Sequence, residues 1–263
     1  MLKLYHGANS VCSIKVRLVL EEKAMAWESH HIDLPSGQQF DPDFLALNPR
    51  AFVPVLIHGD LILRESSVIA EYIDALDPAT ALMPADLGKQ ALTRIWGTQC
   101  LEYHDSVNTL TFGSYQRQML LAKSPEEREA RFAAMPDQMR AKKVQDLVEN
   151  GAASPHMTVA IERMARLCAE IDANLDGQDW LMGDSYSLAE ALVTAYIFRT
   201  ECVGLAGLWE SRYPRMSDWY QRVKARASFE AAIAPWLDKP AMDKMLNAGK
   251  ETFLNDKNFA SYL

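Results

Sequence analysis

Between Asp77 and Pro84 the chain changes character, and that break constrains the fold more than any other feature. Before it, short strand-like and helix-like runs alternate. After it, apolar residues recur almost only at helical spacing. The break, Asp77-Pro78-Ala79-Thr80-Ala81-Leu82-Met83-Pro84, is bounded by prolines, which suit neither a helix interior nor a central strand. Two domains are therefore predicted: an α/β domain over residues 1–77 and an all-α domain over 87–240, followed by a polar, partly mobile tail at 241–263.

Within the first 77 residues the order reads βαβα–ββα, the thioredoxin-like arrangement. Leu2–Tyr5 makes a short strand, and Val11, Ile14, Leu18 and Met25 mark the apolar face of a helix whose Lys15, Glu21 and Glu22 point elsewhere. Trp27–Asp33 is a second strand. Asp41-Pro42 opens a short helix that Asn48-Pro49 ends. Val55–Ile57 and Leu61–Leu63 flank the hairpin signal His58-Gly59-Asp60. Ser66 or Ser67 then caps a helix carrying Ile69, Tyr72, Ile73 and Leu76 on one side. Beyond the linker, residues 87–121 form one long helix or a broken pair, and 123–131 a charged helix or loop. Residues 156–175 form a helix, and Ser187-Leu188-Ala189-Glu190 is a capping box. Trp219, Val223 and Phe229 stud the last clear helix, while Trp96 and Trp180 read as core.

Composition removes several function classes. A net charge of −8, with no basic run of five, argues against nucleic acid. No apolar stretch approaches the roughly 18 residues of a membrane span, and Met1-Leu2-Lys3-Leu4-Tyr5-His6 has no signal-peptide core, so a cytoplasmic protein is expected. Cys12, Cys100, Cys168 and Cys202 are scattered without a C-x-x-C pair, which indicates neither disulfides nor zinc. His30-His31 faces both ways from a strand, so no metal site is expected.

What remains is chemistry at helix starts. Asn9-Ser10-Val11-Cys12-Ser13-Ile14-Lys15 follows a strand and opens a helix, where unpaired N–H groups and the helix dipole favour an anion. A thiolate is such an anion. Lowering a thiol pKa by about two units takes roughly 2.7 kcal/mol. One charge-assisted hydrogen bond, about 1.5–3 kcal/mol, and a helix N-terminus, about 0.3–1 kcal/mol, are the right size. Pro54, just before a strand, is a natural place for a cis peptide that turns the Val53 N–H and C=O outward. Glu65-Ser66 at another helix start can hold an amino-acid head, the carboxylate taking an ammonium and the hydroxyl and N–H a carboxylate.

In this order the motifs resemble the glutathione-binding half of the glutathione transferase family, and the likeness runs over about residues 1–235. It implies a thioredoxin-like domain followed by a C-terminal helical bundle, with glutathione as co-substrate. Val53 and Pro54 would then bind its cysteinyl backbone, Glu65 and Ser66 its γ-glutamyl end, and Gln39 its glycine end. Leu45-Ala46-Leu47-Asn48-Pro49 is also family-like. Phe52 stands where many relatives carry lysine, which leaves the glycyl carboxylate to Arg50 or holds it less tightly. Theta- and zeta-like members place their serine at Ser10. Omega-like members put a cysteine there, which this chain lacks. Bacterial tetrachlorohydroquinone reductive dehalogenases align their cysteine with Cys12, and bacterial β-aryl etherases their serine with Ser13. Both groups also resemble the 136–151 and 183–189 segments. Ser10, Cys12 and Ser13 are thus all catalytic candidates. Tyr103, His104, Phe112, Tyr115 and Phe198 are candidates for an electrophile pocket, with Arg199 and Cys202 nearby in sequence. The implied reaction is attack by glutathione thiolate on an aromatic electrophile, such as a lignin-type β-aryl ether. The alternatives are glutathione-dependent reductive dehalogenation or a non-catalytic binding module on the same fold. A homodimer is expected through the helix of Glu71 and Tyr72 and the one from Leu87.

Overall fold

A computed structural model describes residues 1–254, Phe259 and Tyr262; the rest of the predicted tail lies outside the described residues. The chain runs β1 (Leu2–His6), α1 (Val11–Glu22), β2 (Trp27–His31), α2 (Pro42–Leu47), β3 (Val55–His58), β4 (Leu61–Leu63) and α3 (Ser66–Leu76). Helices alone follow: α4 (Leu87–Gly113), α5 (Tyr115–Leu121), α6 (Pro125–Ala133), α7 (Gln138–Asn150), α8 (Pro155–Asn174), α9 (Leu188–Cys202), α10 (Pro214–Lys224), α11 (Ala227–Ile233) and α12 (Lys239–Phe253). Two compact units are distinguished. One comprises Met1–Leu101, Ala173–Ala195 and Arg215–Leu237; the other comprises Glu102–Asp172, Tyr196–Pro214 and Asp238–Leu263.

The first unit is built on a sheet of order β2-β1-β3-β4, with β1 parallel to β2 and the other pairs antiparallel. Alternation sets the register: Leu2 and Leu4 turn inward, and Leu4 lies opposite Ser29 on one side and Leu56 on the other. Gly59, at φ 61°, makes the tight β3–β4 turn. α1 packs against α3 and α11, and Ile14, Leu18, Ile69 and Ile73 are fully buried. Each such side chain contributes about 1.5–3 kcal/mol of burial.

α1 departs from the expected one-sided amphipathic helix. It is buried almost all round, Lys15 and Arg17 included, because α3 and α11 cover faces that a surface helix would leave to water. Met25 lies beyond its end. Buried charge is held by pairing: Lys23 Nζ donates to Asp74 Oδ1 at 3.0 Å and to the Asp77 and Thr80 carbonyls, while Asp74 also accepts from Leu82 N and Met83 N. The proline-bounded linker is therefore tied down at Asp74. Trp180 is not core; it is half-buried beneath the guanidinium groups of Arg222 and Arg226, which need a polarisable face rather than solvent. Of the expected box at Ser187, one arm forms: Glu190 accepts from Ser187 N at 2.9 Å, but its second oxygen accepts from Leu181 N, and Ser187 Oγ receives Ala189 N. Burial raises the Glu190 carboxyl pKa.

The second unit is helical around Leu110, Met157, Ile161, Met164, Leu167 and Tyr196. Residues 87–121 are the broken pair, interrupted at Ser114 (φ −122°, ψ −95°). The charged 123–131 stretch forms α6, with reciprocal capping between Ser124 and Glu127. The last helix of the chain is α12, not the segment of Trp219 and Phe229, which is split between α10 and α11. Asp238 caps α12 and Pro240 fits its first turn, while Met245, Ala248 and Phe253 bury one face. That sparse apolar stripe reads as a polar tail in the sequence.

Candidate functional site

The thiol-facing end of the site is the turn between β1 and α1. Ser10 is the N-cap of α1, in extended backbone, and its Oγ accepts the Ser13 N–H at 3.3 Å. Ser10 N donates to Gly7 O at 3.3 Å. A hydroxyl has one proton and two lone pairs, so Ser10 receives one N–H and keeps its own proton to give. Ser13 accepts the Gly7 N–H at 3.2 Å, and its side chain is fully buried. The two serines thus differ: Ser10 is half-exposed at the helix mouth, and Ser13 holds the turn from inside. Cys12 is half-buried in the first turn, whereas Cys100, Cys168 and Cys202 are buried. Burial lifts the Cys168 thiol far above its usual pKa and that of Cys202 to about 12, so neither is a thiolate near neutrality.

The peptide-binding candidates come from the loops around β3. The Val53–Pro54 peptide is cis, and Val53 packs on the small cluster of Ile32, Phe44 and Val55. Gln39 is buried, and its Oε1 has no hydrogen-bond partner among the described residues. A buried acceptor without a donor is costly, and a ligand N–H would satisfy it.

Glu65 occupies the N-cap position of α3 at φ 68°, ψ 107°, and no side chain caps that helix. Neither Ser66 nor Ser67 is therefore the cap; both lie within the first turn, where backbone N–H groups lack intrahelical partners. Ser67 Oγ instead receives Lys15 Nζ at 3.1 Å and donates to Gly97 O. Glu65 Oε1 accepts from Arg50 Nη1 at 2.7 Å, and the Arg50 guanidinium lies 5.1 Å from the centre of the Phe52 ring. Both partners are exposed, so this pair is weak and exchangeable.

All eight of these residues belong to the first unit; the five electrophile candidates belong to the second. There, Tyr103 is 3% exposed, donates its hydroxyl to Glu170 Oε2 at 3.0 Å and meets Tyr196 edge-on, which is a packing role. Phe198 is buried too, as are Arg199 and Cys202. His104 Nε2 lies 2.8 Å from Asn108 Nδ2, and His104, Asn108 and Phe112 fall at i, i+4 and i+8 on α4. Tyr115 lies just past the break, half-buried like His104 and Phe112.

Sequence reasoning passed over Arg17, which is fully buried and donates Nε to Ala232 O at 2.7 Å, Nη1 to Gly7 O at 3.2 Å and Nη2 to Ala8 O at 3.0 Å. Its Nη1 is also 3.0 Å from His6 Nδ1. An arginine can only donate, so Nδ1 accepts and the His6 proton sits on Nε2, 2.8 Å from Ser29 Oγ. Burial, then Arg17, His31 and His30, lower the His6 pKa to about 3, so the ring is neutral. Burial lowers the Arg17 pKa to about 9. The available signal was an arginine inside the apolar run Val16–Leu20.

Comparison with known proteins gives a consistent picture. The family model described as "Glutathione S-transferase, N-terminal domain" matches residues 1–75, and "Glutathione S-transferase, C-terminal domain" matches 126–222. The tetrachloro-p-hydroquinone reductive dehalogenase of Sphingobium chlorophenolicum is 30% identical, covering 88% of this chain and 95% of the relative. Glutathione S-transferase 3 of Zea mays is 28% identical, covering 89% and 93%. Among solved structures, the beta-etherase LigF from Sphingobium sp. strain SYK-6 superimposes with a TM-score of 0.77 at 27% identity, over 88% of this chain and 98% of that one.

Proposed function

The chain belongs to the glutathione S-transferase family, and from that premise we propose how its own residues run the reaction. It is a glutathione-dependent transferase, with a small four-stranded sheet domain and a large helical one. We take residues 1–77 as the glutathione domain, 87–240 as the electrophile domain and 241–263 as its C-terminal extension. Glutathione lies against Val53 and Pro54 with its γ-glutamyl head on Glu65 and Ser66, its ammonium displacing Arg50 from Glu65. Gln39 Oε1 accepts from its glycine end.

The observation that carries this reading is Ser10: a half-exposed hydroxyl at a helix start, polarised by the Ser13 N–H, with its own proton uncommitted among the described residues. Donated to the glutathione sulfur, that proton supports a thiolate that attacks an electrophilic carbon. Ser13 shapes the turn. The substrate is an aromatic electrophile, held by His104, Phe112 and Tyr115 with Tyr103 and Phe198 behind them. The favoured chemistry is cleavage of a β-aryl ether: the thiolate bonds to the β-carbon as the C–O bond breaks, and a phenolate leaves.

A second reading has one specific support, the half-buried thiol of Cys12. In reductive dehalogenation, the Cys12 thiolate would attack the sulfur of an S-aryl glutathione adduct. The arene then leaves with the electron pair and takes a proton, and a second glutathione reduces the resulting mixed disulfide. Turnover of a β-aryl ether dimer and a chlorohydroquinone, each by wild type and Cys12→Ser, separates the two. Ether cleavage unaffected by the substitution supports the first reading; dehalogenation that stalls on a glutathione adduct replaces it. We propose that the protein works in the cytoplasm, where glutathione is abundant, as a homodimer.

A further inference from the structure

The least expected feature near the site is the buried guanidinium of Arg17. Its hydrogen-bond acceptors are fixed groups, three backbone carbonyls, of Gly7, Ala8 and Ala232, and the neutral His6 ring, while the Glu21 carboxylate one turn on along α1 acts on it through charge. Trp236 closes the site of the charge, with its ring 5.4 Å from the guanidinium and edge-on to His6. A planar donor fork of this kind fixes geometry in a way a lysine cannot.

Two of those carbonyls belong to the turn that carries Ser10. A trans peptide points its C=O and N–H in opposite directions. With the Gly7 and Ala8 carbonyls turned down onto Arg17, the N–H groups of Ala8 and Asn9 are turned away from it. Gly7 O also receives the Ser10 N–H, which closes the turn and sets Ser10 at the head of α1. The Ala232 bond anchors the assembly to the last turn of α11, so the turn is clamped from beneath to an element distant in sequence.

We propose that Arg17 is a positioning residue for the thiolate, a role that rests on the transferase reading of this site. By gripping the Gly7 and Ala8 carbonyls, it turns the Ala8 and Asn9 N–H groups to the side of the turn away from the core, and holds Ser10 Oγ where it meets the sulfur. Its charge, beneath the turn, adds to the positive end of α1. Arg17 touches neither glutathione nor electrophile; it works through the turn.

Arg17→Lys keeps the charge but cannot reach four acceptors at once. The bound glutathione thiol is titrated by its ultraviolet thiolate absorbance, and kcat and KM are followed against pH with a chromogenic aryl electrophile. The thiol pKa should rise by about one unit, which lowers the thiolate fraction at pH 7 by about three- to sixfold for a thiol that the site brings near neutrality. The kcat should fall about three- to sixfold at pH 7 and recover at high pH, where the thiol ionises unaided, with KM for glutathione within about twofold. His6→Leu, which removes one acceptor, should act in the same direction with smaller size, and carries the test if Arg17→Lys does not fold. A wild type that lowers the thiol pKa, with both variants leaving that value unmoved, overturns the role of Arg17 alone. A wild type that fails to lower it overturns the transferase reading together with this role.

Discussion

At the scale of single residues, the three candidates at the first helix are separated by their burial and by the N–H groups that the two serines accept. Ser10 accepts one N–H and can donate outward; Ser13 is spent on the turn; Cys12 is half-buried in the first turn and is called on only by the dehalogenation reading. Ser10→Ala should raise the bound-thiol pKa and slow turnover about ten- to hundredfold, the equivalent of a charge-assisted hydrogen bond of about 1.5–3 kcal/mol. Ser13→Ala should instead lower thermal stability, since it leaves the Gly7 N–H buried without its acceptor. Steady-state kinetics beside thermal melting checks both; equal turnover losses would remove the distinction. His6 gives a pH signature of its own. Its folded pKa of about 3 lies below the unfolded value of 6.5, so the unfolded chain binds the extra proton between them. Stability from His6 is therefore complete above pH 6.5 and is lost as pH falls toward 3, at up to about 1.4 kcal/mol per pH unit. His6→Asn, which keeps an acceptor for Arg17 but cannot titrate, should show a shallower loss of stability between pH 6 and 4 in urea unfolding.

At the scale of elements, two glycines show how the same added methyl can act in opposite senses. A Cβ on Gly249 of α12 would lie 1.9 Å from Val203 O, a backbone atom that cannot step aside. Gly249→Ala should destabilise by about 1–3 kcal/mol or more. A Cβ on Gly97 of α4 meets Leu192 Cδ1 at 3.5 Å, an ordinary contact, so Gly97→Ala should gain up to about 1 kcal/mol of helix propensity. Denaturant midpoints measured side by side decide both signs. The strands, α2 and the β3–β4 hairpin were legible because period, proline and glycine speak locally, whereas residues 87–121 read equally as one long helix or a broken pair, and the fold sets the break after Gly113. α12 was not, because its stripe of Met245, Ala248 and Phe253 is too sparse without the groove that receives it. The site divided along the same line. Ser10, Val53 and Glu65 could be read as motifs, but the Arg50–Glu65 pair and the grip of Arg17 on Gly7 and Ala8 join residues whose meeting only the fold decides. The expected caps at Ser66 and Ser67 failed because Glu65, at positive φ, takes the cap position itself.

At the scale of the whole molecule, the first unit exposes several large apolar side chains on β4, α3 and α4. Leu61 and Ile62 on β4, Val68 on α3, and Leu92 and Ile95 on α4 are each at least 42% exposed. α3 and α4 lie side by side there: Arg94 donates twice to Glu71 Oε1, and the Gly97 position meets Ser67. The largest apolar patch on a typical monomer is about 300–600 Å², and a twofold contact over these elements would bury well over about 1,000 Å², enough for a specific interface. A second copy is the proposed occupant. Light scattering should therefore give twice the 29.6 kDa of one chain at micromolar concentration. Ile95→Glu puts a charge on an exposed apolar position of α4 that is none of the proposed glutathione residues, so it should give a monomer whose thiol pKa with bound glutathione is unchanged. Its melting temperature should also lose the concentration dependence that mass action gives a dimer. A wild type that is already monomeric, or an Ile95→Glu protein that still dimerises, would mean that this face is not where the two copies meet.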